Sequence, residues 1–286
     1  MLVPLNNLKM SRLLKTSMAA PSQYAPDIVK LNHSAGFFSC STVRLAHIIK
    51  YFNENKSLPL FVDSLNQYML YKRYNTDVTF HYYEHYNSRH ENIEYTHDID
   101  FFEDKQYTFY KDLDFPKLVP LVTKYFSPST RVKNNISMIM DKYKIDPENT
   151  CALFHRGLDK VTETKICTHE DKLEKAQQLL HENPNIIFMI QSDETEFIEK
   201  AKTMFPNNSF CCEDEIVHMK HDPKTMVDFK NRDGIEEKAQ RFLAIMIIMS
   251  TCKYVISGSG NCDLWISLYR GHTDNLIQYN DGEWSF

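Results

Sequence analysis

Several absences narrow the possibilities first. No apolar run approaches the roughly 20 residues that span a bilayer; the longest, Phe242 to Met249, has eight. No membrane span is therefore expected. The N-terminal segment MLVPLNNLKMSRLLKTSMAAPSQ has no continuous hydrophobic stretch of the secretory kind, so no cleaved signal peptide is expected. There is no CxxC pair among the seven cysteines, Cys40, Cys151, Cys167, Cys211, Cys212, Cys252 and Cys262, and the number is odd. Reduced, mostly buried thiols in a cytoplasmic protein are the expectation, and a disulfide scaffold is not. A basic excess is missing too. The 33 Lys and Arg face 38 Asp and Glu, a net charge of −5. A general nucleic-acid binder needs a basic face to neutralise phosphates, so nucleic acid is not an expected partner. The GxGxxG fingerprint of dinucleotide binding is absent, as is any internal repeat.

The 286 residues include 18 Phe and 16 Tyr, ample apolar area for a core. Residues 1–29 read as a lead segment and 30–126 as an N-terminal, acceptor-side domain. Residues 127–286 read as a C-terminal, ligand-binding domain. The first part balances 14 basic against 13 acidic residues over 1–126; the second carries 19 against 25. Any anion held by the second part must be held by local geometry.

The N-terminal pattern is strand, small-residue loop, helix to about Phe52, then a short strand Leu58 to Val62. That is a β-loop-α-β unit of the nucleotide-binding kind. Residues 66–114 are tyrosine-rich, then acidic, and read as a loop-rich insertion or an irregular half-domain. Pro116, Pro120 and Pro128 mark 115–128 as a linker. Beyond it the alternation is regular. Ser129 or Thr130 caps a helix; strands are expected at Cys151 to His155, Ile186 to Ile190, Ser209 to Cys212 and Tyr254 to Ser257. Helices are expected after Thr168 and Asp193, over 235–251, and from Asn261 to Tyr269. Strands alternating with helices imply an α/β fold with a parallel sheet covered on both faces.

Three loops carry candidate chemistry. Phe154-His155-Arg156-Gly157-Leu158-Asp159-Lys160 closes a buried strand, where α/β sheets bind ligands. Arg156 there can present two parallel hydrogen bonds to a phosphate, with Asp159 and Lys160 orienting it or touching the ligand. The plain alternative is a surface turn with an ion pair. Ser257-Gly258-Ser259-Gly260-Asn261 lies between strand and helix, where two glycines admit close backbone approach and free N–H groups attract anions. The alternative is a tight turn capped by Asn261. Gly36, Phe37 and Phe38 belong to a small-residue loop on the N-terminal side of the presumed cleft.

Two further patterns invite metal readings. His81-Tyr82-Tyr83-Glu84-His85 spells H-x-x-E-H, which on a helix would suit a zinc hydrolase. Asp98-Ile99-Asp100 and Asp112-Leu113-Asp114 spell D-x-D, a metal-diphosphate signature, within a stretch so acidic that a solvated face accounts for them.

The run 129–213 resembles the C-terminal half of the fucosyltransferases of GT-B type, the α1,6-fucosyltransferase and protein O-fucosyltransferase group. Their H-x-R-R-x-D-K motif is matched at Arg156, Asp159 and Lys160, with Phe154 in place of the His and Gly157 in place of the second Arg. Their Thr-Asp-Asp appears as Ser192-Asp193-Glu194, and SGSGNCDLW (257–265) resembles their final donor loop. GFFSCSTVRLAHIIKYF (36–52) is similar to their first loop and helix more loosely. The resemblance implies two Rossmann-like domains facing a cleft. It also implies an inverting, metal-independent glycosyltransferase with a nucleotide-sugar donor and a glycan acceptor. GDP-fucose is the first-choice donor, and a UDP-sugar such as UDP-xylose is the competitor. Arg156, Asp159, Lys160, Asp193, Ser257, Gly258, Ser259, Gly260 and Asn261 would bind the donor, with Arg156 on its β-phosphate. Glu163 would be the general base, at a spacing one residue shorter than the family's. Asp63, after the strand LPLFV, is its rival. No cofactor or metal is expected. A non-catalytic nucleotide-sugar-binding module is the third reading, beside the zinc hydrolase.

Overall fold

The computed structural model describes residues 27–87, 94–158, 160, 163–220 and 233–286. The chain begins with a β-α-β unit. Strand β1 (Ile28–Lys30) leads through the loop at Gly36 into helix α1 (Phe37–Asn55), and β2 (Phe61–Asp63) returns parallel to β1 in the register Ile28↔Phe61. The helix stops at Lys56, which adopts a left-handed conformation (φ 55°) and returns its N–H to the Phe52 carbonyl. The expected N-terminal Rossmann-like sheet amounts, among the described residues, to these two strands.

Residues 66–114 contain short 3-10 turns and the four-residue helix α2 (Thr79–Tyr82). They form an irregular segment with its own buried aromatic residues. Tyr68, Tyr71, Tyr82, Tyr83, Tyr86 and Tyr110 are all buried, and Phe37 of α1 packs edge-on against Tyr71 and Tyr82. Buried phenols need partners. Tyr83 and Tyr68 share the Ser41 hydroxyl, and Tyr82 donates to the Tyr71 carbonyl.

The expected linker at 115–128 is instead helix α3 (Phe115–Phe126). Asp114 caps it by accepting from Lys117 N, and Pro116 occupies the first turn, where a missing N–H costs nothing. Pro120 removes one hydrogen bond inside the helix. Burial of Leu118, Leu121, Val122, Tyr125 and Phe126 along one face outweighs that loss.

The remaining chain builds a six-stranded sheet: β3 (Thr150–His155), β4 (Ile187–Ser192), β5 (Ser209–Cys211), β6 (Tyr254–Ser257), β7 (Leu276–Asn280) and β8 (Glu283–Ser285). The order is β5-β4-β3-β6-β7-β8, parallel except for the terminal hairpin. Alternation along β3 sets the two faces. Cys151 and Leu153 pack with Leu173, Ala176 and Leu179 of α5 (His169–Glu182) and with Phe197 of α6 (Thr195–Met204). Ala152 and Phe154 join the other core, with Leu243 and Met246 of α7 (Ile235–Thr251) and Leu264 and Trp265 of α8 (Asn261–Arg270). Helix α4 (Thr130–Tyr143), capped by Ser129, packs on α7. The second core is continuous with the N-terminal part. Phe38 of α1 stacks on Trp265 and meets Phe242 edge-on, and Trp265 Nε1 donates to Thr42 at 2.9 Å. All seven cysteines are buried and unpaired with one another. No described helix is long and apolar enough to cross a membrane.

Candidate functional site

Strand order reverses between β3 and β6, since β4 and β5 lie to one side and β7 and β8 to the other. In open parallel sheets the crevice beyond the strand ends at such a point is the ligand site. A cavity of about 520 Å³ lies there, bounded by the loops after β3 and β4 and by the starts of α1 and α8.

Arg156 is the first residue past β3. Its Nε lies 2.8 Å from Asp193 Oδ2, and Asp193 Oδ1 accepts from Gly157 N at 3.0 Å. One carboxylate from the end of β4 thus fixes both the side chain and the backbone of the β3 loop. The guanidinium also donates from Nη1 to Cys262 Sγ at 3.6 Å. Such a guanidinium, oriented before a ligand arrives, loses little entropy on binding an anion. Lys160 is ion-paired with Glu163, and Tyr107 donates its hydroxyl to Glu163 Oε2 at 2.5 Å.

The cavity lining brings together Gly36, Phe37, Phe38, Arg156, Lys160, Glu163, Asp193, Gly260 and Asn261. Asp159 falls outside the described residues. Asp63 is absent from the lining; its Oδ1 accepts from Leu65 N at 3.0 Å and shapes the turn after β2.

The loop 257–261 differs from the expected cradle of free N–H groups. Asp263 in the first turn of α8 takes Gly258 N at 2.7 Å, and Gly260 N is held by the Gln106 carbonyl at 2.9 Å. Ser259 donates to the Tyr279 carbonyl and accepts from Gln278 Nε2. Gly258 and Ser259 therefore build the loop, Ser257 is the buried last residue of β6, and only Gly260 and Asn261 of that run reach the cavity wall. Gly260 has φ 148°, a conformation open to glycine and strained for other residues. Burial raises the Asp263 carboxyl above its ordinary range, against the opposing pull of the Lys172 ammonium.

One residue was passed over in the sequence. Gln191, next to the last residue of β4, is 2% exposed and lines the cavity, and neither its Oε1 nor its Nε2 has a hydrogen-bond partner. The signal was a lone amide in the buried run IIFMIQS (186–192). Asn261 repeats the pattern at the wall. Its amide nitrogen donates to Gln106, while its buried Oδ1 has no partner.

The metal patterns named from sequence do not converge. His81 lies within the short α2 and pairs with Glu236 at 3.1 Å, Glu84 binds Lys133, and His85 lies past the helix, stacked on Phe80. The zinc-hydrolase reading needs both histidines on one helical face, which a four-residue helix ending at Tyr82 cannot supply. Asp98 and Asp100 are exposed and paired with Lys56 and Lys105, and Asp114 caps α3. A different set gathers on the α5/α6 side of the sheet. His155 Nε2 and His169 Nε2 lie 3.2 and 2.7 Å from the same atom, Glu194 Oε2. Among the described residues this is the one group of three with metal-ligating atoms within 4.8 Å of one another. Burial pushes the His155 imidazole down to about 4, partly opposed by its contact with Glu194. Gly157 belongs to the same arrangement, because a Cβ on it would fall 2.1 Å from Glu194 Cδ. That accounts for the absence of a side chain at this position.

No family model matches the chain, and no curated protein matches it in sequence. Among solved structures it is similar to a crystal structure of NodZ alpha-1,6-fucosyltransferase soaked with GDP-fucose. The two are 13% identical with a TM-score of 0.37, over 58% of this chain and 50% of that one. The match thus spans half the length of the fucosyltransferase.

Proposed function

We propose that this protein is a glycosyltransferase that moves a sugar from a nucleotide diphosphate to a glycan hydroxyl, with inversion at the anomeric carbon. The observation that carries the reading is the content of one cavity at the sheet's switch point. It holds Arg156 braced by Asp193, the cation Lys160, and the buried, unpartnered amide of Gln191. A diphosphate suits the guanidinium, and an amide that offers both a donor and an acceptor suits a base edge or a sugar hydroxyl.

In such a transfer the acceptor oxygen bonds to the anomeric carbon as the bond to the diphosphate breaks. Negative charge grows on the departing phosphate, where Arg156 and Lys160 are aimed. The acceptor proton passes to a carboxylate, for which Glu163 is the choice because it lines the cavity. Its Oε2 already receives Tyr107 and Lys160, so it must give up one of these bonds as the acceptor arrives. Asp63 is the rival base and would have to leave its turn. Donor binding rests on Arg156, Asp159, Lys160, Asp193, Gly260 and Asn261, with Gly258 and Ser259 shaping the loop that follows Ser257. The D-x-D triplets take no part, and the donor's charge is met by side chains. GDP-fucose is the first donor to test and UDP-xylose the second.

A thermal-shift screen against GDP, UDP and their sugars tests this. Ligand at 100 times its Kd adds about 2.7 kcal/mol of stability. A shift with one base, followed by sugar release or transfer, supports the enzyme. A shift with no turnover in the presence of glycan acceptors supports a non-catalytic nucleotide-sugar-binding module, and no shift with any nucleotide sinks both.

A further inference from the structure

We propose that His155, His169 and Glu194 form a zinc site that ties the base of the Arg156–Asp193 pair together. The three side chains come from three elements. His155 ends β3, Glu194 follows β4, and His169 is the first residue of α5. Both imidazoles present Nε2 to one carboxylate oxygen, at 3.2 and 2.7 Å, and the two rings stand edge to face at 86°. The His155 ring is clamped against Phe197 at 4.6 Å, which fixes the direction of its Nε2.

Two imidazole nitrogens and one carboxylate oxygen are a donor set suited to zinc, and not to calcium or magnesium, which take oxygen ligands. An ion about 2.0–2.2 Å from each donor holds tetrahedral ligands about 3.3 Å apart. The His169–Glu194 separation, 2.7 Å, must open by about 0.6 Å and the His155–Glu194 separation, 3.2 Å, by about 0.1 Å, and the three ligand atoms already lie within 4.8 Å of one another. His155 and Glu194 are 1% and 2% exposed, while the His169 side chain is 19% exposed. A fourth ligand, water, would enter past His169.

The placement gives the ion a positioning role. His155 and Arg156 are consecutive, as are Asp193 and Glu194. An ion bridging 155 and 194 therefore holds the ends of β3 and β4 at the separation at which Arg156 and Asp193 pair. It lies on the α5/α6 side of the sheet, away from the cavity lining, and touches no substrate. This inference does not depend on the glycosyltransferase reading.

The test uses the full chain, purified without chelator, loaded with excess zinc and desalted. Metal content is measured by mass spectrometry for the protein as purified and as loaded. The expected result is one zinc per chain, replaceable by cobalt with a visible d–d spectrum of imidazole and carboxylate ligation and no thiolate charge-transfer band. That last feature separates this site from the seven cysteines. His169→Ala changes the most exposed ligand and should keep the fold by circular dichroism. It should weaken zinc by more than the roughly 10–100-fold that loss of an outer-shell partner costs. Less than a tenth of a zinc per loaded chain, a thiolate spectrum, or unchanged affinity in His169→Ala would each overturn the proposal. Nucleotide binding is scored separately by calorimetry, so failure here leaves the donor-site reading standing, and the reverse.

Discussion

Gln191→Met separates stability from function at one position. The Gln191 amide is 2% exposed and makes no hydrogen bond through either polar atom. Burying an amide without partners costs about 1–3 kcal/mol on the scale of protein mutational data. Methionine has similar length and flexibility and carries no group that needs a partner. The substitution should therefore stabilise the ligand-free protein by about 1–3 kcal/mol. For a chain of this size each kcal/mol moves Tm by roughly 2–4 °C. The same change should weaken the ligand. Two neutral hydrogen bonds contribute about 1–3 kcal/mol together, so affinity for the nucleotide found by screening should fall about 5- to 150-fold. Scanning calorimetry on both ligand-free proteins and titration calorimetry with the nucleotide read the two effects. A variant less stable than the parent would show that the amide is satisfied in solution. A more stable variant with unchanged affinity would show that the ligand does not reach β4, and the cavity would lose its place as the donor site.

Arg156→Ala should reduce kcat about 10²- to 10³-fold, the range for removing one donor aimed at developing charge. Arg156→Lys should recover little of it in steady-state assays, because the fork that meets Asp193 is gone. Glu163→Gln should leave nucleotide affinity within a few-fold and slow transfer about 10²- to 10⁴-fold; normal transfer there, with a dead Asp63→Asn, would move the base to the N-terminal side. Gly157→Ala places a methyl group 2.1 Å from Glu194 Cδ. Overpacking of that kind costs about 1–3 kcal/mol, so a Tm equal to the parent's would show that Glu194 swings aside freely. Asp98→Asn combined with Asp100→Asn should leave turnover nearly unchanged, since both carboxylates sit in exposed ion pairs. Abolished activity that added Mn²⁺ restores in the parent protein alone would implicate a D-x-D metal site.

Local pattern was enough to place much of the second half. The runs CALFH, IIFMIQS and KYVIS are strands because each is a short, continuous apolar stretch between turn signals, and Thr168 and Ser129 cap the helices they precede. The position of Arg156 at a strand end followed from the same reading. Local pattern misjudged 115–126, because three prolines weigh as turn signals until the face formed by Leu118, Leu121, Val122 and Tyr125 is seen to be buried. It also missed the terminal hairpin of β7 and β8, whose strands are half polar and gain their place by pairing.

Tertiary structure alone decided which polar groups are spoken for. SGSGN reads as a set of free donors, yet Asp263 and the distant Gln106 take two of its N–H groups. HYYEH reads as a metal motif, yet the chain straightens after Tyr82 and separates its histidines. The cluster that does form joins Glu194 to His169 and His155, 25 and 39 positions away in the chain. Periodicity reports how a segment meets its immediate surroundings, because side-chain direction repeats every 2 or 3.6 residues. Contacts at long separation depend instead on strand order and register, here β3 beside β4 with His155 opposite Ser192. No single segment encodes that pairing.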